Sequence, residues 1–332
     1  MKLGVYNAIL HDRSPPEAIE VIAGLGLEGI ELNSGGFLPP VHIPTFDDIL
    51  TSDAARDDFL AQFEGTGVSI AGLNCNGNPL HPNGVIGDAH AQDVRRSIRL
   101  ANRLGQHRVV TMSGLPGGEP GATRPNWIVN AWNSGALDVL DFQWEIATPF
   151  WREIDALARD LDVKVALELH PQNLVFNPAG IRELVERTGA TNVGVELDAS
   201  HLFWQQMDPV AVVRDLGPLV FHAAAKDVRV NPAAAVYGVL DNRFRRLDPS
   251  EDRVNLGGDE WVNEWPKESA WDFVALGRGH DTAFWAQFLT ALHEVDPEMI
   301  VNIEHEDVSL GRVEGLEVAA GVLKAAAQAA DV

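Results

Sequence analysis

Short apolar runs alternate with longer amphipathic stretches eight times along this chain, and few architectures accommodate such an order. The apolar runs lie near Leu3–Asn7, Gly29–Asn33, Ser69–Asn74, Arg108–Ser113, Lys164–His170, Val193–Asp198, Leu219–Lys226 and Met299–Glu306. Helical patterns fall between them at Pro16–Gly24, Asp88–Arg103, Pro149–Asp160, Gly180–Arg187 and Ala283–Glu294, with Gly315–Ala327 last. Alternation of this kind predicts parallel strands joined by crossover helices. Eight such units closed by a final helix favour a (β/α)₈ barrel over a doubly wound sheet.

No Pro/Ser-rich linker or change of composition divides residues 1–332, so a single barrel domain is expected. Two connections, about 114–138 and 228–282, exceed what a plain barrel loop needs. They carry Trp127 and Trp132, and Trp261, Trp265, Trp271 and Phe273. Such aromatic content predicts ordered lids over the barrel mouth.

The 332 residues are 45% hydrophobic and carry a formal net charge of −23. That apolar content excludes a disordered chain despite the charge. An acidic pI near 4.7 opposes binding to nucleic acid or anionic lipid. Cys75 is the only cysteine, which excludes a disulfide framework and a cysteine zinc site. The start Met1-Lys2-Leu3-Gly4-Val5 enters a strand-like run with no leader pattern, and no stretch has the apolar length of a membrane helix. A soluble, cytoplasmic protein is expected. Gly24-Leu25-Gly26-Leu27-Glu28-Gly29 fits GxGxxG, yet a helix precedes it and a strand follows. That order is the reverse of a dinucleotide site, so no nucleotide cofactor is expected.

Ionisable side chains recur where strands five to eight end. Glu168 and His170 share one face of strand five, since strand side chains alternate. Asp198 ends strand six with His201 just after it, His222 and Lys226 belong to strand seven, and Glu304 and Glu306 to strand eight. In a barrel these ends converge at the C-terminal mouth, where barrel active sites lie. Buried together without partners they would cost several kcal/mol each, and a divalent cation relieves their repulsion. Two Glu, one Asp and one His suit Mn²⁺ first, or Mg²⁺, Co²⁺ or Zn²⁺.

The segments "ALELHP", "ELDASHLFW", "FHAAAKD" and "NIEHED", with "GLNCNGNPLHP" and "GRGHD", resemble the xylose-isomerase-like barrels of the sugar phosphate isomerase/epimerase family over essentially the whole chain. The resemblance implies that Glu168, Asp198, a strand-seven His and Glu304 hold the metal, and that His201 touches substrate hydroxyls. Many relatives read His-x-His-x-Lys-Asp on strand seven, with the second His on the metal; this chain has Ala224 there. His222, one pleat lower, is the expected substitute, the alternatives being that His201 swings in or that the site is weakened. Relatives often carry His where Asn76 stands.

Asn74, Asn76, Asn78 and His81 at the end of strand three are either turn residues or substrate contacts. His170 reads as a substrate contact or acid/base, Lys226 as a charge balance or oxyanion holder, and His280 as a loop anchor or part of the pocket. Glu168, Glu304 and His170 are the candidate catalytic groups. A metal that chelates a sugar carbonyl and hydroxyl acidifies the neighbouring C–H, and a carboxylate or His can take that proton to give an enediolate. Isomerisation, epimerisation and elimination diverge only afterwards. The expectation is a metal-dependent sugar isomerase/epimerase. Its rival is a lyase of 3-oxo-glycosides, a class the resemblance includes, some members working with a small partner subunit. A non-catalytic sugar-binding protein is the third reading. A homo-oligomer, or a hetero-oligomer with a small second subunit, goes with the first two.

Overall fold

Runs rich in Val, Ile and Leu become eight parallel strands closed into a ring in the computed structural model, which describes residues Met1–Val332. They are β1 (Lys2–Tyr6), β2 (Gly29–Asn33), β3 (Ser69–Asn74), β4 (Arg108–Met112), β5 (Lys164–Glu168), β6 (Val193–Asp198), β7 (Val220–Ala225) and β8 (Ile300–Ile303). Each pairs with its neighbours in chain order, and β1 closes on β8 with Lys2 opposite Ile300. Strands covered on both faces read as continuous apolar runs, which is why they stand out in the sequence. The chain is a single-domain (β/α)₈ barrel. No helix is long and apolar enough to cross a membrane.

Local signals set most boundaries. Ser14 and Glu17 form a capping box at the start of helix Pro15–Gly24, and Gly26 turns the chain at φ +68° into β2. GLGLEG is therefore a helix-to-strand turn. The helix expected to start at Pro149 starts at Ser134 instead and runs to Asp160, with Pro149 inside it. Asn133 caps it by accepting from the Ala136 amide at 3.0 Å. Residues 114–133 contain no helix or strand, and Gln143 Nε2 of this helix donates to the carbonyls of Pro116 and Asn126.

After β7 the chain continues as Asp227–Val230, which pairs antiparallel with Trp271–Val274. A smaller pair, Asn255–Gly257 with Glu260–Trp261, lies between them in sequence. The Trp204 and Trp271 rings stack at 5.3 Å, joining this insertion to the helical segment after β6. Strands β5 and β8 are shorter than their apolar runs. Pro171, which lacks an N–H, follows His170, and Glu304 lies just past its ladder with its amide still 3.3 Å from the Ala225 carbonyl. The rim carboxylates thus stand where strand becomes loop.

Candidate active site

Glu168 ends β5, Asp198 ends β6 and Glu304 follows β8; one carboxylate oxygen from each lies within 4.8 Å of the other two. Glu168 and Asp198 are buried, and the Glu304 side chain is 17% exposed. A nitrogen each from His170 and His201 forms a second such group with Glu168. His201 comes from the short helix that Asp198 caps, Oδ1 accepting from the Ser200 amide at 2.7 Å. Its Nε2 lies 3.1 Å from Glu168 Oε1 and 3.3 Å from Asp198 Oδ2. Neither oxygen is in line for an N–H hydrogen bond. Both His201 nitrogens and Asp198 Oδ2 are buried with no hydrogen-bond partner.

Lys226 is the cation among these acids. Its buried Nζ lies 2.9 Å from both Glu304 Oε1 and Glu306 Oε1, and 3.9 Å from Asp198 Oδ2. The Phe273 ring caps it at 4.3 Å and meets the His201 ring edge-on at 5.7 Å. Burial alone would raise Glu168, but His170 and His201 outweigh it and pull the carboxyl down to about 2. Burial dominates at Asp198, which rises to about 7 with Lys226 opposing, and at Glu304, which goes well above the usual carboxylate range. Burial and the charge of His170 lower His201 to about 4. Paired carboxyls pushed in opposite directions are what acid/base chemistry uses.

Three convergent carboxylates, two of them buried and one of those with an orphaned oxygen, beside an imidazole with unpartnered nitrogens are a donor set that fits a divalent cation. His222 does not join it. Asp198 is in register with Ala224, which places His222 beside Glu196, one pleat deeper. There His222 Nε2 meets Glu31 Oε2 of β2 at 2.8 Å. The expectation that His222 replaces the His absent at 224 is corrected by that register: its nitrogen is held by another carboxylate.

The remaining candidates divide. Asn76 reaches the centre, donating from Nδ2 to Glu168 Oε2 at 2.5 Å, and His170 packs edge-on against His201 at 4.3 Å. Asn78 is spent on loops: Oδ1 accepts from the Leu80 and Leu115 amides, and Nδ2 donates to the Leu115 carbonyl. His81 Nδ1 accepts from the Asn83 amide, and Nε2 faces Glu260 of the insertion at 3.3 Å. His280 Nδ1 contacts Asp227 Oδ1 at 2.7 Å while its ring stacks on Phe203 at 3.6 Å. These three fasten the mouth loops to one another. Of the two roles open to each, the contacts in the structure are those of turn residues for Asn78 and His81 and of a loop anchor for His280.

Sequence reading missed Glu31, Glu196, Asn302 and Tyr6. A signal for the two acids existed: Gly-Ile-Glu-Leu-Asn at β2 and Gly-Val-Glu-Leu-Asp at β6 repeat the Ala-Leu-Glu-Leu-His pattern of β5. Both are buried below the rim, and burial pushes Glu196 well above the carboxylate range. Tyr6, at the end of β1, is raised by burial and by the charges of Glu304 and Glu31.

The family model described as xylose isomerase-like TIM barrel matches residues 19–326. The uncharacterised protein YfiH of Bacillus subtilis (strain 168) is 32% identical over 329 residues, covering 98% of each chain. Among solved structures, the probable 3-DHS dehydratase AsbF of Bacillus anthracis is 16% identical with a TM-score of 0.61, covering 98% of this chain and 99% of that one. The 3-keto-D-glucoside 4-epimerase YcjR of E. coli is 14% identical with a TM-score of 0.58, covering 95% and 97%.

Proposed function

From the chain's membership of the xylose isomerase-like TIM barrel family, we propose that it is a divalent-metal-dependent sugar isomerase/epimerase. The observation that carries this reading is the convergence of Glu168, Asp198 and Glu304, with Asp198 Oδ2 buried and unpartnered. These three carboxylates and a His201 nitrogen would hold the cation, Mn²⁺ in the first instance. When bound, it would polarise a sugar carbonyl and so acidify the adjacent C–H.

The chain's own groups do the rest. Glu168, kept ionised by His170 and His201 against its burial and oriented by Asn76 Nδ2, accepts the C–H proton at a carboxylate oxygen. Glu304, three strands further round the ring, faces the same centre from the other side and is placed to return a proton to the substrate. Delivery to the opposite face of the same carbon gives an epimer; delivery to the neighbouring carbon gives an isomer. His170, beside His201, is placed to hold a substrate hydroxyl or to pass the proton on. Lys226 balances the carboxylates, and the Phe273 ring excludes water above it.

A second reading draws on the aromatic wall. Phe273, Trp265 and Trp271 pack together at 4.6–6.0 Å on the insertion, beside His201 and Lys226. Such a wall suits an aglycone, and the same proton abstraction on a 3-oxo-glycoside would then expel it. The small sugar or glycoside substrate is common to both readings, as is a homo-oligomer or a small second subunit. Incubating the Mn²⁺-loaded protein in D₂O with ketohexoses and 3-oxo-glucosides separates them. Deuterium gained with the skeleton intact supports isomerase/epimerase action, aglycone release supports the lyase, and neither event refutes both.

A further inference from the structure

Beneath the rim carboxylates, four strands send polar side chains to one buried point. Glu31 of β2 is 3% exposed. Its Oε2 accepts from His222 Nε2 of β7 at 2.8 Å and from Asn302 Nδ2 of β8 at 2.6 Å, and its Oε1 accepts from Asn74 Nδ2 of β3 at 2.7 Å. His222 is fully buried, and Asn74 and Asn302 are 3% and 1% exposed. Gly4 of β1 makes room for the group: a Cβ there would fall 2.3 Å from Asn302 Oδ1. A carboxylate this deep is costly unless its oxygens are satisfied, and here both are.

The network does not stop at Glu31. Asn74 Oδ1 accepts from the Asn76 amide at 2.9 Å, and Asn76 Nδ2 donates to Glu168 Oε2 at 2.5 Å. An unbroken hydrogen-bonded chain therefore runs from Glu31 through Asn74 and Asn76 to Glu168. On the other side, Asn302 lies two residues before Glu304 on the same strand face. We infer that Glu31, joined to His222, is a positioning residue that sets the orientation of Glu168 through Asn74 and Asn76. It touches neither substrate nor metal in this role, which rests on the reading of Glu168 as a ligand and catalytic group.

Partners that orient a metal-binding carboxylate typically govern affinity or activity by about 10- to 100-fold. The test is a double-mutant cycle of Glu31→Gln and Asn76→Ala, read by Mn²⁺ affinity and by kcat and KM in the deuterium-exchange assay. Each single variant is expected to weaken Mn²⁺ binding and lower kcat by about 10-fold or more, with KM within about twofold. In the Asn76→Ala background, Glu31→Gln should add less than about threefold, because the connection is already cut. Single effects that multiply, or a Glu31→Gln protein that binds Mn²⁺ as the parent does, overturn the inference. If Glu31→Gln does not fold, Asn74→Ala severs the middle link while leaving the Glu31–His222 pair intact; parental Mn²⁺ affinity in that variant is equally fatal. A parent that binds no Mn²⁺ overturns the metal reading and this inference with it, whereas a binding parent with an indifferent Glu31→Gln removes only the positioning role.

Discussion

Replacing Lys226 by Met tests whether the rim acids form a charge-balanced centre. The aliphatic stem and volume are nearly kept, so the loss is the ammonium group. Glu306 is half exposed and regains water, so it adds little. Glu304 and Asp198, 17% and 1% exposed, lose their cation in place. Removing one partner of such a buried pair costs about 3–5 kcal/mol. For 332 residues the unfolding entropy near Tm is about 0.7 kcal/mol/K, so Tm should fall by about 4–7 °C in chelator. Mn²⁺ supplies the missing charge, and a ligand at 100 times its Kd returns about 2.7 kcal/mol, or about 4 °C. Calorimetric scans of parent and Lys226→Met, each with EDTA and with Mn²⁺, measure all four values. The expected pattern is a less stable variant whose Mn²⁺ shift exceeds that of the parent. A variant within 1 °C of the parent in chelator, or a smaller Mn²⁺ shift than the parent's, would refute the reasoning.

Glu304→Gln should lower turnover by about 10²- to 10⁴-fold, the contribution of a positioned acid or base; full activity at stoichiometric Mn²⁺ removes its assigned role. Ala224→His places an imidazole in register with Asp198 and should tighten Mn²⁺ binding by roughly tenfold, as calorimetric titration would show; an unchanged Kd means that side chain does not reach the centre. Burial would raise Asp307, but hydrogen bonds from Ser309 and the Ala275 amide, with Arg278, hold it down to about 2. Its contribution, about 2 kcal/mol, is present above about pH 4 and disappears as pH falls toward 2. Asp307→Asn should therefore be less stable than the parent at pH 7, the gap closing across that window; a gap constant with pH contradicts the assignment.

Local patterns were enough to place the barrel and the rim. Gly29–Asn33, Ser69–Asn74 and Val193–Asp198 are strands with the boundaries their apolar runs predict, because burial on both faces leaves a signal in consecutive residues. Glu168, Asp198 and Glu304 were legible for the same reason: each sits at the end of such a run, and parallel closure brings all such ends together. The start of the helix Ser134–Asp160 was not, because Pro149 carries the mark of a first turn and only packing carries the helix past it.

Partner choice among polar side chains belongs to the tertiary structure. His222 and Glu31 are 191 positions apart, and nothing in either neighbourhood announces the other. The strand register, with Asp198 beside Ala224, decides that His222 serves the buried carboxylate below rather than the centre above. Asn78, His81 and His280 likewise bind loops together because their partners, Leu115, Glu260 and Asp227, arrive from other connections. Strand identity is written in consecutive residues. Hydrogen bonding across the barrel depends on stagger, and stagger exists only once the ring has closed.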